Sequence, residues 1–240
     1  MKISIIVPAF NEERLIAASL RSIRAASHAF THRGWECELI VCDNNSTDAT
    51  ASLAREQGAH VVFEPINQIS RARNRGALAA TGDWMVFVDA DSQPSEALFV
   101  SAAEQIQGGK CLAGGSTLSL DATRLIPRLL VGLWNIGSRA LRWCAGSFIF
   151  CEAGAFKQVG GFNEELFASE EIDLSQKLKR LGKQSGRRLV ILSDHPLLTS
   201  ARKFDLYSRR THLKVFLRAL LRPRSLKNPA TCELWYDGKR

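Results

Sequence analysis

Trp84-Met85-Val86-Phe87-Val88-Asp89-Ala90-Asp91, residues 84–91, is the stretch that decides the fold. Its five consecutive apolar residues predict a strand buried on both faces, as strands are inside parallel sheets. Two carboxylates follow, and residues two apart at a strand end project to the same side. We therefore expect Asp89 and Asp91 to face together the crevice beyond the carboxyl ends of the strands, where open α/β sheets bind ligands.

The acidic pair by itself is compatible with two interpretations. Neighbouring carboxylates repel each other unless a cation or a shared proton lies between them. A hard divalent ion that accepts carboxylate and phosphate oxygens suits such a pair. Asp and Ser are also common in surface turns, so the motif alone does not decide between a cation site and a turn.

Three strand–helix units precede this stretch. Apolar strands are predicted at residues 3–7, 37–42 and 60–63, each followed by a segment with helical spacing. Pro8 is expected to prevent the first strand from continuing as a central strand, because proline cannot donate to a ladder. The alternation predicts a mostly parallel sheet with right-handed crossovers. The first strand is not followed by a glycine-rich phosphate-binding motif, which argues against ordinary Rossmann dehydrogenases and P-loop enzymes.

The second half of the chain is expected to extend the same sheet. Glycine and proline residues between the apolar stretches give the predicted bounds of its helices and strands. They are helix 94–107, strand 111–118, a helical stretch 122–141, strand 146–151, a helix that starts near Ser169 and is closed by Gly182, and a last strand 189–192.

Basic charge is concentrated near the C-terminus. The 240 residues carry a formal charge of +8, with 32 Lys and Arg against 24 Asp and Glu. Residues 201–240 hold 11 of the basic and 3 of the acidic residues, so this segment accounts for the whole excess. Residues 210–222 have amphipathic helical spacing. Such a helix either lies in an anionic membrane interface or packs on the protein with its charges solvated. Nucleic-acid binding is not expected, since no recognition motif accompanies the charge.

The six cysteines are scattered without metal-binding spacing, which favours free thiols. The N-terminal apolar run is too short for a signal peptide, and no run reaches the roughly 18 apolar residues of a spanning helix. We expect a cytoplasmic protein, with peripheral membrane contact left open.

Six motifs in order resemble those of the family 2 glycosyltransferases of the GT-A fold. They are Val-Pro-Ala-Phe-Asn-Glu-Glu (7–13), Asp-Asn-Asn-Ser-Thr-Asp (43–48), Ala-Arg-Asn-Arg-Gly (72–76), Val-Asp-Ala-Asp (88–91), Gly-Gly-Phe-Asn-Glu (160–164) and Glu-Glu-Ile-Asp-Leu (170–174). The resemblance implies a single GT-A-type α/β domain at 1–200, with a mostly parallel central sheet flanked by helices. It divides that domain into a nucleotide-binding half at 1–92 and an acceptor half at 93–200. A basic helical extension, 201–240, follows.

The resemblance also implies the chemistry: a UDP- or GDP-sugar donor, a Mn²⁺ or Mg²⁺ ion, inversion at the anomeric carbon, and a saccharide or lipid-linked acceptor. The positions that match the donor site are Pro8, Phe10, Glu12, Asp43, Arg73 and Asp89. Asp91 and Asp89 match the metal site, and His195 is the candidate for the histidine ligand of some members.

The catalytic base of such an enzyme is expected in the acidic pair Glu170-Glu171. The family usually has Asp at the second position, so Glu171 is a departure, and Glu170 and Asp173 remain alternatives. Acidic residues at a helix N-terminus also simply favour the helix dipole. Two other functions remain possible: a sugar- or nucleotide-binding protein without catalysis, and a phosphatase of the haloacid-dehalogenase type. The latter usually has Gly-Thr after its Asp-x-Asp and carries the motif early in the chain.

Overall fold

The computed structural model describes residues 1–121 and 125–202. In chain order the elements are β1 (Lys2–Ala9), α1 (Ile16–Thr31), β2 (Glu36–Asp43), α2 (Thr50–Glu56), β3 (His60–Phe63), α3 (Ile69–Ala79), β4 (Trp84–Val88), β5 (Ser92–Gln93), α4 (Glu96–Gln107), β6 (Cys111–Leu120), α5 (Leu125–Leu141), β7 (Phe148–Glu152), α6 (Ala153–Gln158), α7 (Glu170–Ser185) and β8 (Arg188–Thr199).

Within these residues the strands form one sheet, in the order β3-β2-β1-β4-β7-β6-β8-β5. The four strands of the first half pair in parallel. β7 then runs antiparallel to both β4 and β6, while β6 and β8 are parallel. The predicted α/β fold, a mostly parallel sheet flanked by helices, is confirmed.

All five residues of β4 are buried, as predicted for the strand at residues 84–88. Val86 and Val88 pack in the hydrophobic cluster that contains α1 and α4. Met85 and Phe87 pack in the cluster on the opposite face of the sheet. Alternate residues of one strand therefore contribute to two cores, which accounts for an uninterrupted apolar run.

The first strand extends beyond its predicted end at Val7, although from Pro8 on it is no longer a central strand. β1 continues through Pro8, which lies opposite Cys42 of β2. On its other side β1 pairs with β4 only as far as Ile6. Beyond Ile6 the strand has a ladder partner on one side only, so a residue without an N–H group is tolerated there.

Two further boundaries differ from the predicted ones. α7 does not end at Gly182 but runs to Ser185, with Gly186 following in the left-handed conformation at φ 69°. Gly182 is instead a packing position, since a Cβ there would lie 2.5 Å from the Arg187 carbonyl oxygen and 2.6 Å from Leu112 Cδ2. The last strand extends past Leu192 to Thr199, because β6 pairs with it beyond a register shift. His195 therefore lies within β8 and not after it.

All five cysteines among the described residues are free thiols, as predicted. Burial raises the pKa of each of them, for example that of Cys144 to about 12, so none is activated as a nucleophile. Across the described ranges, no helix has the length and apolarity needed to cross a membrane. The predicted amphipathic helix at 210–222 lies outside those ranges.

Candidate active site

Three strand ends meet at one edge of the sheet. Ala9 of β1 lies opposite Asp43 of β2, and Asn44 N–H donates to the Ala9 carbonyl at 2.8 Å. β4 pairs with β1 on the other side at Ile6 and Phe87, so Asp89 follows two residues beyond a paired position. The carboxyl ends of parallel strands thus bring the predicted residues of three separate motifs to one rim, as the topology requires.

The loops at β1 and β2 are cross-linked by short polar contacts. Asn11 adopts φ 52°, and its side-chain oxygen accepts from Thr47 N–H at 2.8 Å. Asp43 Oδ1 accepts from Ser46 N–H at 3.1 Å, and Thr50 Oγ1 accepts from Glu12 N–H at 2.7 Å. These contacts fix the backbone around Phe10 and Asp43, two residues that the sequence assigned to the donor nucleotide.

Arg73 lies at the centre of a buried polar cluster. Its side chain is 1% exposed, and Nη1 donates to Glu170 Oε1 at 2.6 Å. Nη2 donates both to Asp89 Oδ1 and to the Gly146 carbonyl oxygen, each at 2.9 Å. The guanidinium also lies 5.2 Å from the centroid of the Phe162 ring. Arg73 therefore connects four segments of the chain as a buried anchor, and its role at the donor site stays a prediction.

Electrostatics keep Arg73 charged. Burial alone would lower its pKa, but the carboxylates of Asp89 and Glu170 together raise it above the usual value. Gly146 is required by this packing, because a Cβ at that position would lie 2.9 Å from Arg73 Nη2. The cluster is therefore a paired buried charge network in which each partner depends on the others.

The first turn of α7 carries three acidic side chains with different surroundings. Glu170 is 4% exposed and bonded to Arg73. Asp173 pairs with Lys177 one turn later at 2.8 Å. Glu171 is half-buried, and no ion pair joins it to another residue of the described chain. The structure thus distinguishes the three candidate bases, which the sequence did not.

The pKa of Glu171 is raised to about 8. Burial is the largest cause, and the neighbouring carboxylates of Glu170 and Asp89 add to it, while Arg73 opposes it. Ser169, just before the pair, adopts the left-handed conformation at φ 64°. Non-glycine residues with this conformation are uncommon and cluster at functional sites.

α3 holds the loop at 160–166 in place through residues that the donor-site prediction did not include. Asn74 donates to the Phe162 carbonyl at 2.9 Å and accepts from Phe162 N–H at 3.0 Å. Gln68 donates to the carbonyl oxygens of Glu164 and Leu166. The signal for Asn74 was the Ala-Arg-Asn-Arg-Gly motif at 72–76, in which Asn74 binds this loop and Arg73 binds Glu170, whereas Gln68 lies outside that motif.

Asp89 and Asp91, the acidic pair that follows β4, have different surroundings. One oxygen of Asp89 is used by Arg73, whereas the Asp91 carboxylate makes no side-chain hydrogen bond or ion pair with any residue in the described ranges. These residues fit a divalent ion, because Mg²⁺ is often bound by one or two carboxylates and completed by water and substrate phosphates. Those same ranges contain no group of three or more His, Cys, Asp or Glu side chains able to hold a metal by themselves.

His195 is not brought to these carboxylates. It is exposed on β8 and lines a surface hollow together with residues of α4. The other residues of that hollow are Glu96, Ala97, Val100, Ser101, Glu104 and Asp194. Neither acid of the β4 pair and neither acid of the α7 pair is among them.

Glu12 has a partner that the sequence did not indicate. Arg202, at the end of the described chain, donates through Nη2 to both Glu12 carboxylate oxygens, at 2.9 and 2.8 Å. Both side chains are mostly buried. The chain that leaves β8 thus returns to the β1 loop, and the Glu12 carboxylate is engaged by protein.

The fold and this rim of strand ends define a GT-A-type domain, and comparison with known proteins identifies the family. The sequence model described as glycosyl transferase family 2 matches residues 4–149. This is more than half of the chain, and the chain belongs to that family.

Curated relatives match the chain over part of their length. An uncharacterized glycosyltransferase of Mycobacterium tuberculosis is 38% identical over 89 residues, 37% of this chain and 36% of that protein. The undecaprenyl-phosphate 4-deoxy-4-formamido-L-arabinose transferase of Pseudomonas fluorescens is 34% identical over 115 residues, 44% of this chain and 33% of that protein. The matched region therefore spans about a third of the length of these relatives.

Solved structures share the fold at low identity. The mannosyltransferase PcManGT from Pyrobaculum calidifontis, in complex with GDP-Man and Mn²⁺, has a TM-score of 0.68 at 20% identity, covering 98% of this chain and 70% of that one. S. aureus TarS 1-349 in complex with UDP-GlcNAc has a TM-score of 0.66 at 20% identity, covering 99% and 71%. At such identity the likeness is evidence for the fold.

Proposed function

We propose that this chain transfers a sugar from a UDP- or GDP-sugar to an acceptor hydroxyl with inversion of the anomeric carbon. The observation that carries the proposal is the position of Glu171. This acid with a raised pKa lies next to the Arg73–Glu170–Asp89 cluster, and Asp89 ends the strand that reaches the nucleotide-binding rim. Family membership supports the reaction class.

The donor nucleotide would bind at the ends of β1 and β2, against Pro8, Phe10 and Asp43. Two structural neighbours were solved with a UDP-sugar and a GDP-sugar, which supports either nucleotide. Glu12 would act through its contact with Arg202, which orders the β1 loop. Arg73 would orient Asp89, because its buried guanidinium donates to Asp89 Oδ1 at 2.9 Å.

Asp91, with the second oxygen of Asp89, would hold a Mn²⁺ or Mg²⁺ ion. When bound, such an ion neutralises charge on the departing nucleoside diphosphate. Asp89 and Asp91 supply part of the ligand set, and Arg73 limits Asp89 to a single free oxygen.

Glu171 is assigned the role of general base. It would accept the proton of the acceptor hydroxyl while that oxygen attacks the anomeric carbon from the face opposite the diphosphate. Glu170 is unsuited to this role, because its carboxylate is buried against Arg73. Asp173 is paired with Lys177. Burial raises the pKa of Glu171 to about 8, which makes its ionised form a stronger proton acceptor than an exposed carboxylate. Turnover should therefore rise with pH up to about 8, as Glu171 ionises.

The acceptor would be a saccharide or a lipid-linked molecule that presents a hydroxyl. The second class is supported by the name of the Pseudomonas fluorescens relative, an undecaprenyl-phosphate transferase.

The test compares Glu171→Gln with Asp173→Asn. We expect Glu171→Gln to lower turnover by about 10²- to 10⁴-fold, the contribution of a positioned base. Donor affinity, measured by calorimetry with UDP- and GDP-sugars with and without Mn²⁺, should change little. Asp173→Asn should retain turnover. Unchanged turnover in Glu171→Gln would exclude it as the base. Donor binding without turnover on any acceptor would favour a non-catalytic binding protein.

A further inference from the structure

α5 exposes an unusually large apolar surface. Seven of its large apolar side chains remain 44–69% exposed: Leu125, Ile126, Leu129, Leu130, Leu133, Ile136 and Leu141. Scattered exposed leucines are ordinary, but a contiguous set on one element marks an interaction surface.

These side chains form one continuous face. At about 100° per residue they cover roughly half of the helix circumference. The opposite side contacts the protein, where Asn135 both donates to the Leu118 carbonyl and accepts from Leu118 N–H at 2.9 Å. Pro127 and Ser138 are buried on that side. Polar contacts therefore hold the helix on β6 with its apolar face turned outward.

The charged side chains on α5 itself have one sign. Residues 122–151 contain no Asp or Glu, whereas Arg128, Arg139 and Arg142 are exposed. Arg128 and Arg139 lie 11 residues apart on the same helix side, along one border of the apolar face. Lys179 of α7 donates to the Leu141 carbonyl at 2.6 Å, which adds a cation at the helix end.

We propose that α5 lies in an anionic lipid interface. Its apolar face would contact acyl chains, and Arg128 and Arg139 would lie at the level of the headgroups. A second helix would cover a narrow seam, whereas a face of half the circumference suits a continuous apolar phase. The arginine border is complementary to anionic lipid and would raise the affinity by electrostatic attraction.

Docking through α5 would also orient the candidate active site. The segment after α5 reaches Gly146 within five residues of Leu141, and the Gly146 carbonyl accepts from Arg73. Cys144 N–H donates to Ser175 Oγ of α7 at 3.0 Å. The lipid surface would therefore lie beside the acceptor half of the domain. The inference itself does not depend on the proposed reaction.

The test is co-sedimentation of the full chain with vesicles of phosphatidylcholine, with and without phosphatidylglycerol. Leu133→Gln, at a side chain 67% exposed, is compared with Leu78→Gln on α3, at a side chain 79% exposed. We expect binding to the anionic vesicles, weakened about tenfold by Leu133→Gln and unchanged by Leu78→Gln. Ile136→Gln provides a second variant on the same face, and Arg128→Gln should lower the preference for anionic lipid about fivefold.

Three results would overturn the proposal. One is the absence of vesicle binding. Another is binding that Leu133→Gln and Leu78→Gln leave equally strong, which would assign it to another part of the chain. The last is a dimer, measured by sedimentation equilibrium, that Leu133→Gln dissociates while vesicle binding is retained. In that case a second copy covers α5.

Discussion

Arg73 and Glu170 form a buried ion pair with 2.6 Å between Nη1 and Oε1, although they are 97 residues apart in the chain. The pair joins α3 to the first turn of α7 and leaves Glu171 beside it without an ion-pair partner among the described residues. Arg73 thus makes Glu170 a structural residue of the Glu-Glu motif and leaves Glu171 available as a proton acceptor.

Arg73→Met should be strongly destabilising, because it leaves Asp89 and Glu170 without their buried cation. We expect a loss of about 3–5 kcal/mol in the free energy of unfolding, measured by urea denaturation. Arg71→Met is the matched control, since Arg71 pairs with Glu164 at 3.1 Å with both side chains about one-third exposed. That variant should lose at most about 1 kcal/mol. Equal losses would contradict the assignment of Arg73 as the anchor.

Gly146→Ala should disturb the same cluster without removing a charge. The new Cβ would lie 2.9 Å from Arg73 Nη2, so we expect a loss of about 1–3 kcal/mol and reduced activity. The control is Gly154→Ala in α6, where no atom lies within 4 Å of an added Cβ. That change should be neutral or slightly stabilising, because alanine favours helices. Thermal unfolding of the two variants in parallel measures the difference.

Glu171→Gln should change how stability depends on pH. The folded chain keeps the Glu171 proton up to about pH 8, whereas the unfolded chain releases it near its ordinary pKa of 4.5. Between these values the folded state binds more protons, so this group lowers the free energy of unfolding as pH rises. Gln resembles the protonated acid and removes that loss.

We therefore expect Glu171→Gln to match the unmodified chain near pH 5 and to exceed it in stability near pH 8–9. Urea titrations across that range provide the measurement. Asp173→Asn keeps Glu171 and should retain the original pH slope. Parallel curves for Glu171→Gln and the unmodified chain would show that Glu171 titrates normally.

Glu12 and Arg202 should be energetically coupled. Glu12→Gln and Arg202→Met each break this mostly buried ion pair. Each leaves the remaining charged side chain without its counter-ion. The double variant should lose less stability than the sum of the single losses, with a coupling energy of about 0.5–3 kcal/mol. A double-mutant cycle in urea measures this value. Strict additivity would mean that the contact does not stabilise the β1 loop.

The sequence by itself determined the order of the elements, apart from β5 and α6, and the chemistry at the ends of the first strands. An apolar run such as residues 84–88 is specified locally, because burial on both faces permits no polar position. Strand–helix alternation then requires a parallel sheet, and the carboxyl ends of its strands carry Asp43 and Asp89. The motifs at these ends were sufficient for recognition of the family.

Only the tertiary structure decided how the polar residues are paired. Arg73 and Glu170, and Glu12 and Arg202, are 97 and 190 residues apart, and no local periodicity records such partners. Pairing with β6 extended β8 through His195, and Gly182 proved to be a packing position inside α7, close to the Arg187 carbonyl. The outward face of α5 likewise depends on where Asn135 bonds β6. Hydrophobic pattern is a property of neighbours in sequence, whereas ion pairs and exposure are properties of neighbours in space.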